Sequence, residues 1–184
     1  MSQCLAGSVA GVASWIALYT KPKIKSDSQV VVPTTTTDQF KDWKTYRNEE
    51  YGFEFRYPGD WEIDNIIKNF ISIKSKSDID NIVNGLNYGP SNPINITIRD
   101  NPQKSTLNDW FNNQFEGWEV LSKEFTKINE HEAIRSSLAG ESSSNTIFFQ
   151  LPNGQIINFT HETYNFPYTD IFNQILSTFR FINQ

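Results

Sequence analysis

The stretch YGFEFRYPGDW, residues 51–61, decides how the chain is read. Phe53, Phe55 and Tyr57 alternate with Glu54 and Arg56, the period-two pattern of a strand with one apolar face. Pro58 lacks the N–H that a ladder needs, so the strand stops there and Pro58-Gly59-Asp60 turns the chain. Trp61 follows at once, and a ring of that size at the core edge closes off the first hairpin by packing. Upstream, WKTYRNEE (43–50) supplies the partner strand, with a turn at Asn48-Glu49-Glu50.

The same alternation returns downstream. NFISIKSKS (69–77) sends Ile71 and Ile73 inward, and INITIRD (94–100) does the same with Ile94, Ile96 and Ile98. Between them, residues 77–93 are rich in Asn, Gly and Pro and read as a loop with room for one helical turn. In STLNDWFNNQF (105–115) the period changes: Leu107, Trp110, Phe111 and Phe115 share a helical face, capped by Ser105 or Thr106. WEVLSKEFTKIN (118–129) and EAIRSSLAGES (132–142) read as strands around an Asn129-Glu130-His131 turn. NTIFFQLPNGQIINFTHETY (145–164) is a hairpin turning at Asn153-Gly154. Tyr168, Ile171, Phe172, Ile175, Leu176 and Phe179 then keep helical spacing, and Phe181 begins a terminal strand. Strands, a helix, more strands and a helix give an α+β fold, an antiparallel sheet with helices against it. No glycine-rich strand-to-helix turn marks a dinucleotide site.

Bulk properties narrow the function. The 184 residues carry a net charge of −5 and no Lys/Arg cluster, so nucleic acid is not an expected partner. Cys4 is the only cysteine, which excludes an intrachain disulfide and a cysteine-built structural zinc site.

The chain divides into three stretches. Residues 1–20 have no charged side chain and an apolar heart, LAGSVAGVASWIALY, just long enough to cross a bilayer as a helix. A signal-anchor, a cleaved signal peptide and a buried helix are the three readings, with the signal-anchor leading. Lys21, Lys23 and Lys25 follow the segment, and the positive-inside rule sets them against an exported orientation. Residues 21–42 form a flexible Pro- and Thr-containing spacer, and residues 43–184 the folded domain.

Four quoted stretches carry a resemblance: WKTYRNEEYGFEFRYPGDWEI (43–63), TLNDWFNNQF (106–115), IFFQLPNGQIINFTHETY (147–164) and IFNQILSTFRF (171–181). Together they resemble bacterial PsbP-like domains, named after the extrinsic photosystem II protein. The resemblance implies an α/β/α sandwich with a central antiparallel sheet, carried at the cell membrane with the domain on the extracytoplasmic side. It transfers no catalytic, cofactor or metal residue, and none matches a photosystem-binding position.

Chemistry-bearing residues are sparse. Two histidines each precede a glutamate, His131-Glu132 and His161-Glu162. His131 falls in a turn and reads as solvated; His161 shares a strand face with Ile157 and Phe159 and reads as a hydrogen-bonded residue at the core edge. Asp78-x-Asp80-Asn81 starts like a calcium loop, but Ile82 and Gly89 stand where ligands belong. Ser136, Ser137, Ser142, Ser143 and Ser144 read as a soluble loop, and the sequons at Asn95 and Asn158 lie inside expected strands. The leading expectation is therefore a non-enzymatic, membrane-tethered domain, held to the membrane through residues 1–20, that binds another protein. A glycan- or peptide-binding module using Trp110, Trp118 or Tyr88 is one alternative, and a hydrolase or metal enzyme around His161 and Glu162 is another.

Overall fold

The aromatic alternation around Phe55 forms a strand, but the sheet it founds is the smaller of two. The computed structural model describes residues 39–85, 93–139, 144–162 and 167–182. The apolar segment 1–20, most of the spacer, Tyr88, Ser142 and Ser143 lie outside the described residues. In chain order the elements are β1 (Trp43–Asn48), β2 (Phe53–Pro58), β3 (Trp61–Asp64), β4 (Phe70–Ser75), α1 (Lys76–Val83), β5 (Ile94–Arg99) and α2 (Leu107–Gln114). They continue with β6 (Val120–Ile128), β7 (His131–Leu138), β8 (Ser144–Gln150), β9 (Ile156–Glu162), α3 (Thr169–Thr178) and β10 (Arg180–Phe181).

Two antiparallel sheets result. One has the order β1-β2-β10, the other β3-β4-β5-β9-β8-β7-β6. The chain changes sheet at Pro58-Gly59-Asp60, so Trp61 begins a strand of the large sheet, which the sequence reading did not anticipate. A Cβ on Gly59 would stand 2.2 Å from the Asp42 carbonyl oxygen, so only glycine lets the chain pass there.

Registered strand pairs assign the faces of the large sheet. Ile96 stands beside Ile71 and Phe159, and Phe159 beside Ile147, giving one continuous apolar face. This face buries against Phe53 and Phe55 of the small sheet and Phe172, Ile175 and Leu176 of α3. The opposite face is apolar only at one end, where Ile134, Phe148 and Ile156 lie under Trp110 and Phe111 of α2. Helices on both sides of the central antiparallel sheet make the expected α/β/α arrangement. Elsewhere that second face is polar and internally bonded: Thr146 to Thr160 at 3.0 Å, Asn158 to Thr160 at 3.0 Å, and Arg99 Nε to Asn158 Oδ1 at 3.0 Å.

Three expectations need correction. Residues 76–83 form two turns of helix, α1, with Ser75 Oγ accepting from the Asp78 N–H at 3.1 Å. Ser-x-x-Asp is a capping pattern, and it sufficed to start a helix in a polar segment. The calcium-like triplet thus lies on a helix, with Asp78 buried. Ser136 and Ser137 belong to β7 and Ser144 to β8, not to a loop. Glu54, expected on the solvent side, is only 6% exposed. Arg47 Nη1 donates to it at 2.7 Å and Arg180 Nε at 2.6 Å, so a buried carboxylate ties β1, β2 and β10 together.

The β6–β7 turn is built from Asn129 (φ 49°) and Glu130 (φ 66°), both left-handed as a tight two-residue hairpin requires. Asn129 also donates from Nδ2 to the carbonyls of Leu176, Ser177 and Phe179 at 3.1, 2.8 and 2.8 Å, covering the last carbonyls of α3. Asn129→Gly keeps the turn conformation and removes these bonds. It is expected to lower stability by about 1–2 kcal/mol, read by urea unfolding.

Candidate functional site

The outermost strand of the large sheet, β6, concentrates the exposed apolar side chains of the second half of the domain. Trp118 is 60% exposed just before it, and Leu121 (52%) and Phe125 (66%) lie within it. Leu121 sits in a bulge, where the register shifts between Val120 and Ser122. Phe125 stands opposite Ile134 on the α2 side of the sheet but outside the cluster packed under that helix, and its ring is open.

Two cavities flank that ring. Strand β7 begins at His131 but pairs with β8 only from Ala133 onward, which leaves a corner open at His131 and Glu132. A cavity of about 490 Å³ fills this corner, lined by Leu107, Phe125, Glu130, His131, Glu132 and Phe181 among others. A second, of about 410 Å³, lies against Phe125, Lys127 and Glu132. His131 is not the solvated turn residue expected: it is half-buried, with its ring centroid 4.3 Å from that of Phe181.

Lys123 braces Phe125 from the helix side. Its Nζ donates to Asn108 Oδ1 and Asn112 Oδ1, both at 2.7 Å, and lies 4.7 and 5.3 Å from the ring centroids of Phe111 and Phe125. Burial pulls this ammonium below its ordinary value, against the weaker opposing pull of Asp109. No carboxylate pairs with Lys123 or Lys127 in the ion pairs of the described residues.

His161 is elsewhere. It is 3% exposed on the apolar face, with its ring centroid 4.5 Å from that of Phe172 and Nδ1 2.7 Å from the Glu162 carbonyl oxygen. Burial lowers its basicity, outweighing that carbonyl, and Arg135 adds to the effect. The ladder separates it from the other histidine: His161 faces Asn145, which faces Ser137, and His131 lies at the far end of that strand. Six strand residues correspond to about 20 Å, so the two imidazoles do not act on one atom. Among the described residues no group of three or more His, Cys, Asp or Glu side chains is placed to hold a metal ion.

The surface-aromatic candidates divide. Trp110 is buried, its Nε1 donating to the Asp100 carbonyl at 3.1 Å; Trp118 is open. Asn95 and Asn158 both lie in central strands of the large sheet. Sequence reasoning missed Phe125. Its signal was present: an aromatic two residues from Lys123 and Lys127 shares their strand face, and lysines mark a face open to water.

No family model and no curated protein matches the chain. Among solved structures it is similar to cyanobacterial PsbP (CyanoP) from Synechocystis sp. PCC 6803, with 16% identity and a TM-score of 0.52 over 76% of this chain and 92% of that one. A protein from Bacteroides thetaiotaomicron VPI-5482 shows 10% identity and a TM-score of 0.48 over 78% of this chain and 50% of that one. At 16% identity the first likeness speaks for architecture, and the architecture of this domain is that of the PsbP-like fold.

Proposed function

We propose that this chain is a non-enzymatic, membrane-tethered, extracytoplasmic domain that binds another protein through the β6–β7 hairpin. One observation carries the reading: Trp118, Leu121 and Phe125 stand exposed along one sheet edge, and Phe125 lines two cavities there. Isolated apolar side chains on a surface need no explanation, but a set of them rimmed by polar groups marks a place where another molecule sits. The tether reading is supported by the charge-free run of residues 1–20. Among the described residues no helix is long and apolar enough to cross a membrane.

The test is co-purification after in-cell crosslinking from native membranes, with the full chain and its Phe125→Asp variant. Burying a charge where an aromatic anchor docks is expected to weaken the complex by about 2 kcal/mol or more, roughly thirtyfold. The isolated variant should unfold at the wild-type denaturant midpoint, because Phe125 is largely exposed. Retention of the same partner by Phe125→Asp would count against the hairpin as the docking surface. Removal of residues 1–25 should shift the protein from the membrane to the soluble fraction; its staying with the membrane would remove the tether.

A further inference from the structure

The β6–β7 hairpin settles which backbone groups of β6 are spare. A two-residue loop closes on a hydrogen-bonded pair, here Ile128 and His131, and bonded pairs recur at every second residue of an antiparallel ladder. Thr126 with Ala133 and Glu124 with Arg135 are therefore bonded to each other across the hairpin. The N–H and C=O groups of Lys123, Phe125 and Lys127 point the other way, to an edge where no described strand pairs. The bulge at Leu121 interrupts this row at one end and the Asn129 turn at the other.

Resting on the protein-binding reading above, we infer that β6 accepts an extended segment of a partner protein as an eighth strand, and that this segment is acidic-apolar-acidic at alternate positions. The side chains of Lys123, Phe125 and Lys127 all project on the α2 side of the sheet, because alternate residues share a face. A strand paired to them presents its own alternate side chains beside two lysines and an intervening aromatic ring. Neither lysine is in an ion pair among the described residues, and Lys123 is partly desolvated between two rings. Carboxylates beside the lysines and a β-branched residue beside Phe125 complete that arrangement. The pattern reads the same in both directions, so it suits a parallel or an antiparallel segment.

The lysines also argue against a second copy of this chain. Antiparallel pairing of β6 with itself about Phe125 sets Lys123 of each copy against Lys127 of the other. Like charges directly opposite are unfavourable, and edge lysines are a common guard against self-pairing. Strand addition draws its affinity from main-chain bonds and its selectivity from alternate side chains, which is the division of labour seen at this edge.

The test uses the full chain and two capped peptides, TETVTET and TKTVTKT, with affinity read by titration and site by amide hydrogen exchange. TETVTET should bind at least tenfold more tightly, weaken with added salt, and slow exchange at Lys123, Phe125 and Lys127 but not at Leu121. Charge reversal in the double variant Lys123→Glu, Lys127→Glu should invert the preference. Phe125→Pro should fold as well as Phe125→Ala, because the N–H it removes faces outward, yet bind TETVTET more weakly than Phe125→Ala. Failure of Phe125→Pro to fold would show that N–H turned toward β7 and would overturn the inference. So would equal affinities, no binding, binding without protection of those three amides, or their concentration-dependent protection without peptide, which would seat a second copy there. Were any of these found while Phe125→Asp still released the native partner, strand addition would fall and hairpin docking stand; retention of the partner by Phe125→Asp would remove both.

Discussion

Phe179→Ala is expected to lower the unfolding free energy by about 3–5 kcal/mol, the range for removing a fully buried aromatic ring. Phe179 is 0% exposed and joins the two sheets. Its ring centroid lies 4.7 Å from Phe149 and 5.2 Å from Phe159 on the large sheet, and 6.1 Å from Phe53 on the small one. Phe181 is 5.3 Å away and the His131 ring 6.3 Å. With partners on five strands, no single shift of backbone closes the hole, which favours the upper part of the range. The measurement is urea unfolding monitored by far-UV circular dichroism, and Phe179→Leu should recover more than half of the loss. A change below about 1 kcal/mol for the alanine variant would mean that the sheets do not meet at this ring.

Glu54→Gln is expected to cost about 2 kcal/mol at neutral pH, the scale of hydrogen bonds made to a charged group. Both guanidinium groups are partly open to water, with side-chain exposures of 44% for Arg47 and 69% for Arg180, so the loss stays below that of a fully enclosed ion pair. The effect depends on pH in a defined direction. Burial pushes the Glu54 carboxyl up, but the bonds from Arg47 and Arg180 outweigh it and hold the group below its ordinary value of 4.5. A carboxyl more acidic folded than unfolded contributes stability that is complete above the unfolded value and disappears as pH falls through the folded one. Wild type and Glu54→Gln should therefore differ most above about pH 5 and converge in acid. A gap that stays constant from pH 7 to pH 3 would assign the loss to packing instead of charge.

Local patterning made the elements legible. Ile71/Ile73, Ile94/Ile96/Ile98 and the Asn153-Gly154 hairpin showed their strands because each has one face against the core. The spacing of Leu107, Trp110, Phe111 and Phe115 gave α2 for the equivalent helical reason. What the sequence hid was long-range. Nothing near Glu54 says that it will be buried, because one of its two cationic partners is 126 residues away. Likewise Pro58-Gly59-Asp60 reads as a turn whether or not the next strand returns to the same sheet, and the two-sheet arrangement depended on that choice. Phe125 was overlooked for a related reason. An apolar residue in a strand is normally read as core, yet Phe125 lies on the edge strand outside the cluster packed under α2 and is exposed.

The closing of β2 against β10 has a consequence for the order in which the domain is made. One flank of β2 is satisfied by β1, its immediate predecessor, but the other waits for Arg180 and Phe181. During synthesis the first hairpin leaves the ribosome with an aromatic edge, Phe53, unattended until nearly the whole domain has emerged. Contacts between such distant segments form late and slow the overall rate. Completion of the small sheet thus waits for residues 180 and 181, and a shortened product ending before residue 180 would expose that edge to aggregation or to a chaperone.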